Sequence, residues 1–139
     1  MFNIILHAND GSEYAFDALA LALDIASQNN SELHMVCVEE ISYMPDAIEE
    51  IREETGTASR RFHTVVQRSR ALAEQKHVRF KTHVIAGHPV RDIIALAADL
   101  KADLLVIGGA GHSAFYERLV GGTAARIVLL ARCPVLVVK

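Results

Sequence analysis

The sequence predicts a doubly wound α/β fold: a parallel sheet with helices on both faces. Short apolar runs alternate with longer helical patterns five times along the 139 residues. The run at 104–107 is too short and too apolar to be anything but a central strand. Right-handed crossovers between such strands place the chain in the doubly wound class. The length predicts a single domain spanning 1–139.

Each element has its own local reason. Ile4–Ala8 is brief, apolar and closed by Asn9-Asp10-Gly11, which reads as a first strand and a turn. Ser12 is placed to cap the helix over 13–28, where Phe16, Leu19, Leu23 and Ala26 share a face and alanines fill much of the rest. Leu33–Val38 is the second strand. Residues 39–60 are part loop and part helix, rich in Glu and interrupted by Gly56. The helical period returns at Phe62 and carries Val65, Val66, Ser69, Leu72 and Ala73 on one face. Val78–Ala86 alternates Val78, Phe80, Thr82 and Val84 against Arg79, Lys81 and His83, the pattern of an edge strand with one wet face. Gly87-His88 turns into a helix with Pro89 at its first position and Asp92 in its first turn. Leu104–Ile107 is the fourth strand, followed by a glycine-rich loop over 108–115, a helix over Gly122–Ala131 and a last strand, Pro134–Val138.

Composition excludes several classes. Hydrophobic residues make up 51% and charged residues 22%, which rules out intrinsic disorder. Fourteen basic against seventeen acidic side chains give a net charge of −3, without the basic excess of a nucleic-acid binder. No stretch is apolar for long enough to span a bilayer, and the polar His7, Asn9 and Asp10 interrupt the N-terminal run too early for a signal sequence. A cytoplasmic protein is expected. Cys37 and Cys133 sit far apart in apolar runs and read as buried reduced thiols. His34, His63, His77, His83 and His88 form no helical pair and no cluster with cysteine, so no metal site is expected. The acids of 39–54 read as a solvated face, partly balanced by Arg60, Arg61, Arg68 and Arg70. Arg118 and Arg126 read as members of surface ion pairs.

In a doubly wound sheet, ligands bind beyond the carboxyl ends of the strands, where the strand order reverses. Two such ends carry unusual residues. Strand 1 leads into Asn9-Asp10-Gly11-Ser12. Strand 4 leads into Gly108-Gly109-Ala110-Gly111-His112-Ser113, with Gly121-Gly122-Thr123 beyond. Glycines let backbone N–H groups approach a polyphosphate closely. Gly122 and Thr123 open the last helix, where unpaired N–H groups and the helix dipole favour an anion. The loop is neither a Walker A motif nor a dinucleotide fingerprint, since it lacks Gly-Lys-Ser/Thr and does not follow strand 1.

The spacing Gly108-x-x-Gly111, nine residues, Gly121, followed by the C-terminal Cys133-Pro134-Val135-Leu136-Val137-Val138, resembles the ATP-binding branch of the universal stress protein family. Ile5-Leu6 leading into Asp10-Gly11-Ser12 and the Gly87-His88-Pro89 turn are similar to its other signatures. The resemblance is weakest over 39–60. It implies strand order 3-2-1-4-5, the arrangement shared with adenine-nucleotide alpha-hydrolase-like (HUP) folds, and an adenine-nucleotide site. Adenine and ribose would lie against Ala8, Asp10 and Val38. The phosphates of ATP or AMP would lie along Gly108, Gly111, Gly121, Gly122 and Thr123, beside Ile107 and His112, and any Mg²⁺ would be held through them. It also implies a homodimer through antiparallel pairing of Pro134–Val138, an apolar edge that would otherwise invite aggregation.

Four residues depart from the family pattern. Gly122 replaces a Ser or Thr, with Thr123 offering its hydroxyl one position later. His112 replaces an Arg or Lys. His7 and Asn9 replace apolar residues; their polarity is either part of the site or local hydrogen bonding, and the second reading is preferred. Asp10 has two readings, an Asx turn capping the first helix or a ribose contact. No paired acid and base, nucleophile elbow or metal triad is present, so no catalytic residue is assigned. A nucleotide-binding regulatory module is expected, with at most slow ATP hydrolysis. The alternatives are an interaction protein without nucleotide that acts through its dimer surface, and a transferase or hydrolase using His7 and Asp10.

Overall fold

The computed structural model describes residues 1–41, 60–109 and 121–139. Strands β1 (Ile4–Ala8), β2 (Glu32–Glu40), β3 (Arg79–Gly87), β4 (Leu104–Gly108) and β5 (Val135–Val138) form one sheet in the order β3-β2-β1-β4-β5. Every pairing is parallel. Helices α1 (Glu13–Asn29) and α2 (His63–Gln75) cover one face, and α3 (Pro89–Leu100) and α4 (Gly122–Leu130) the other. Class and strand order are those the sequence and its resemblance imply.

Alternate residues of each central strand feed opposite cores. Ile5, Leu33 and Val106 pack with Phe16, Leu19 and Leu23 of α1. Leu6, Val36, Leu105 and Ile107 pack with Ile93 of α3 and Ile127 of α4. A central strand enclosed on both faces must be apolar throughout, which is why β4 is buried from Leu104 to Ile107.

Helix ends follow their caps. The Ser12 hydroxyl accepts from the Ala15 N–H at 3.2 Å to start α1, and Asn30 in the left-handed region ends it. Asp92 accepts from the His88 N–H at 2.7 Å to start α3. A Cβ on Gly87 would lie 2.1 Å from that carboxylate, so only glycine admits it there.

Several boundaries differ from the expected ones. β2 runs through Glu39 and Glu40, which pair with Ala86 and Gly87 of β3. Their acidity signals a rim position, not the end of pairing. β3 starts at Arg79 and ends at Gly87, one residue later at each end than expected. β4 extends to Gly108. α4 ends at Leu130. Pro134 lies outside β5, although its carbonyl still accepts from the Leu105 N–H at 2.9 Å.

β3 is an edge strand, as its alternation predicts, but His83 does not lie on an open wet face. Its ring stacks on His34, with centroids 5.2 Å apart, and its Nε2 is 2.9 Å from His34 Nδ1. The other nitrogen of His34 bonds Glu32 at 2.6 Å. Strand register, invisible in a linear reading, brings the two histidines together.

Candidate functional site

The carboxyl ends of β1 and β4 are neighbours with helices departing to opposite faces, so a crevice opens between them. It encloses about 460 Å³, within the range of small-molecule sites. Ala8 at the end of β1 and Asp10 after it, Val38 on β2, Ile107 and Gly108 on β4, and Gly121, Gly122 and Thr123 at the start of α4 all line it. Of the candidates from the sequence, Gly111 and His112 lie outside the described residues.

The β1 side is a pair of overlapping turns. Asn9 Oδ1 accepts from the Gly11 N–H at 2.8 Å, and Asp10 Oδ1 accepts from the Ser12 N–H at 2.9 Å. The chain closes this turn through Gly11 at φ +87°, a conformation that favours glycine. The Asx-turn reading of Asp10 therefore describes a real contact, and the residue stays exposed at the crevice.

Gly108, at the end of β4, and Gly122, at the start of α4, do different work. A Cβ on Gly108 would sit 3.1 Å from the Tyr14 carbonyl oxygen, so this glycine lets α1 pack against β4. A Cβ on Gly122 would meet nothing within 4 Å. The Gly121 N–H donates to the Gly109 carbonyl at 2.7 Å, which seats the start of α4 against β4, and among the described residues no side chain caps that helix.

His7 is fully buried on the α1 side of the sheet, and its Nδ1 donates to the Val106 carbonyl at 3.0 Å. Burial pushes its pKa down to about 4, against a smaller upward pull from that hydrogen bond and from Asp10. The ring is neutral and does not line the crevice. Asn9 is 2% exposed, and its backbone N–H extends the β1–β2 ladder by donating to Val36 at 2.9 Å. Local hydrogen bonding thus accounts for Nδ1 of His7 and Oδ1 of Asn9. His7 Nε2 and Asn9 Nδ2 are buried without a hydrogen-bond partner among the described residues.

Neither cysteine is disulfide-bonded. Cys37 is buried, and burial pushes its thiol up to about 12. Cys133 is only half-buried, less than the sequence suggested, and burial again raises its pKa. No group of three metal-ligating side chains is assembled among the described residues. Among them, too, no helix is long and apolar enough to cross a membrane.

Sequence reading missed the mouth of the crevice. Arg61 Nη1 lies 2.7 and 2.6 Å from the two carboxylate oxygens of Glu39, and both residues line the crevice. The Arg61 guanidinium sits 5.6 Å over the ring of Phe62, which is 3% exposed. The available signal was a basic pair just ahead of a buried aromatic at a helix start. Glu39, Glu40 and Asp10 outnumber Arg61, the one cation lining the crevice among the described residues.

Fold and crevice together define an α/β architecture with a crevice of small-molecule size at the topological switch point. The sequence model of the Universal stress protein family matches residues 1–139, and the chain belongs to that family. It is 32% identical to a universal stress protein of Thermus aquaticus over 139 residues, covering 100% of both chains. The solved UspA of Lactobacillus plantarum superposes with a TM-score of 0.84 at 26% identity, covering 99% of this chain and 97% of that one. A universal stress protein of Archaeoglobus fulgidus solved in complex with dAMP has the same fold, with a TM-score of 0.65 at 22% identity over 100% of this chain and 98% of that one.

Proposed function

We propose that this chain is an adenine-nucleotide-binding regulatory module of the stress response, taking ATP or AMP in the β1–β4 crevice. It acts as one domain in the cytoplasm, as a homodimer paired through Pro134 to Val138, with no catalytic residue of its own. Ala8, Asp10 and Val38 hold adenine and ribose. Ile107, Gly108, Gly111, His112, Gly121, Gly122 and Thr123 hold the phosphates, and Mg²⁺ enters only on those phosphates, within reach of the Thr123 hydroxyl.

One observation carries this reading: the described candidates, drawn from three strands and a helix start, line a single crevice. The polarity of that crevice supports it. Apolar Ala8, Val38 and Ile107 suit a base, while the uncapped first turn of α4 favours an anion. A related fold that binds dAMP adds support by analogy. The buried, neutral His7 stands behind the rim and is not placed to transfer protons to a ligand.

The acidic excess at the crevice favours a second reading, an interaction protein that binds no nucleotide. Calorimetry with ATP and AMP, together with mass spectrometry of nucleotide released from the purified protein, separates the two. Saturable binding that is lost in Gly111→Val, with helical circular dichroism unchanged, supports the module. No released nucleotide and no heat at millimolar ligand leaves the second reading standing.

A further inference from the structure

We propose that the groove between α3 and α4 is a docking site for an acidic amphipathic helix of a partner protein. The groove encloses about 660 Å³ and shares no lining residue with the nucleotide crevice. Its floor is apolar. Val90, Ile94 and Ala98 recur every fourth position along α3 and so form a stripe down one side of the helix. Leu130 of α4 faces them with 54% of its surface exposed. An apolar strip left open between two helices marks an interaction surface.

The rim is cationic. Arg91, Lys101, Arg126 and Arg132 line the groove, and no acidic side chain does so among the described residues. Arg91 pairs with its neighbour Asp92 at 3.3 Å. Lys101, Arg126 and Arg132 form no ion pair with any described residue, so the surface pairing expected for Arg126 is absent there. On a chain whose net charge is −3, this is a local reversal of sign.

Shape and charge select the occupant. A strip from Arg91 to Lys101 rises about 15 Å along α3, the length of a three-turn helix. A helix lying in it would bury one apolar face and offer acids on both flanks. A second copy meeting this groove about a two-fold axis would place the cations against themselves, so the same surface repels its own copy.

The test uses the full chain and a labelled synthetic helix of about five turns, with Leu at i, i+3, i+4 and i+7 and Glu elsewhere. A counterpart carries Lys in place of Glu. Fluorescence anisotropy should show binding of the Glu helix and not of the Lys helix. The double variant Lys101→Glu with Arg126→Glu should weaken binding by about tenfold or more, and Leu130→Ser should weaken it with the charges intact. All three substituted residues are exposed, so fold and nucleotide response should be unchanged. The proposal is overturned if the Glu helix fails to bind, if both helices bind alike, or if the charge-reversed variant binds like the parent. Capture by anionic phosphatidylglycerol vesicles in preference to the Glu helix would also overturn it.

Discussion

His7 makes the protein's acid stability readable at a single residue. In the unfolded chain its imidazole titrates near the ordinary 6.5, and in the fold burial lowers this to about 4. Between those values the unfolded state binds a proton that the native state refuses. The stabilising contribution is therefore complete above pH 6.5 and drains away as pH falls towards 4. Each pH unit of separation corresponds to about 1.4 kcal/mol, so the whole span amounts to about 3 kcal/mol, with about 2 kcal/mol already gone at pH 5. His7→Leu removes the titration. It also removes the hydrogen bond to Val106 and changes packing, but those losses do not depend on pH. Glu13, Glu32 and Asp103, whose carboxyls hydrogen bonds from Arg68, His34 and the Asn3 and Ile4 amides hold low, also lose stabilisation in acid, and both proteins carry them. Desolvation lowers His83 in both as well. The measurement is urea unfolding of parent and His7→Leu at pH 7, 6 and 5. The stability difference should move in favour of the variant by about 2 kcal/mol between pH 7 and pH 5. A difference that stays constant with pH would refute the account of a buried, neutral ring.

Three further outcomes test the rim and the edge. Gly108→Ala presses a methyl against the Tyr14 carbonyl at 3.1 Å and should cost about 1 kcal/mol in urea unfolding, whereas full stability would mean that α1 is not held as described. Gly122→Ser finds open space, so it should leave stability intact and tighten ATP by up to about tenfold through the added hydroxyl; weakened binding in calorimetry would move the phosphates elsewhere. Sedimentation at micromolar protein should give a dimer, and a monomer there would remove Pro134–Val138 as the pairing edge.

What the sequence disclosed and what it hid divide along one physical line. Features set by neighbours in the chain were legible: the apolar run of Leu104–Ile107, the Ser12 cap, the Pro89 start and the turn at Gly11. The rim candidates were legible because strand ends and helix starts follow from local pattern, and the topology rule then places them together. Contacts set by register or by close approach were not. His34 meets His83 only because β2 and β3 align Val36 with His83 and His34 with Lys81. Gly108 looked like a phosphate glycine, yet its missing side chain also admits the first turn of α1. Arg61 does balance the acidic run, through Glu39, but that the pair sits at the crevice follows only from the path of β2 to its end at Glu40.

The overlapping turns at Asn9 and Asp10 give the crevice a direction. The amides of Gly11 and Ser12 already have carboxamide and carboxylate partners, so these two donors of that bank are taken. Across the gap, no side chain among the described residues caps the opening turn of α4. On the function proposed above, an elongated molecule charged at one end lies with its tail towards α4 and its head over β1 and β2. The end-to-end asymmetry of the groove, more than its depth, would then decide which molecules it accepts.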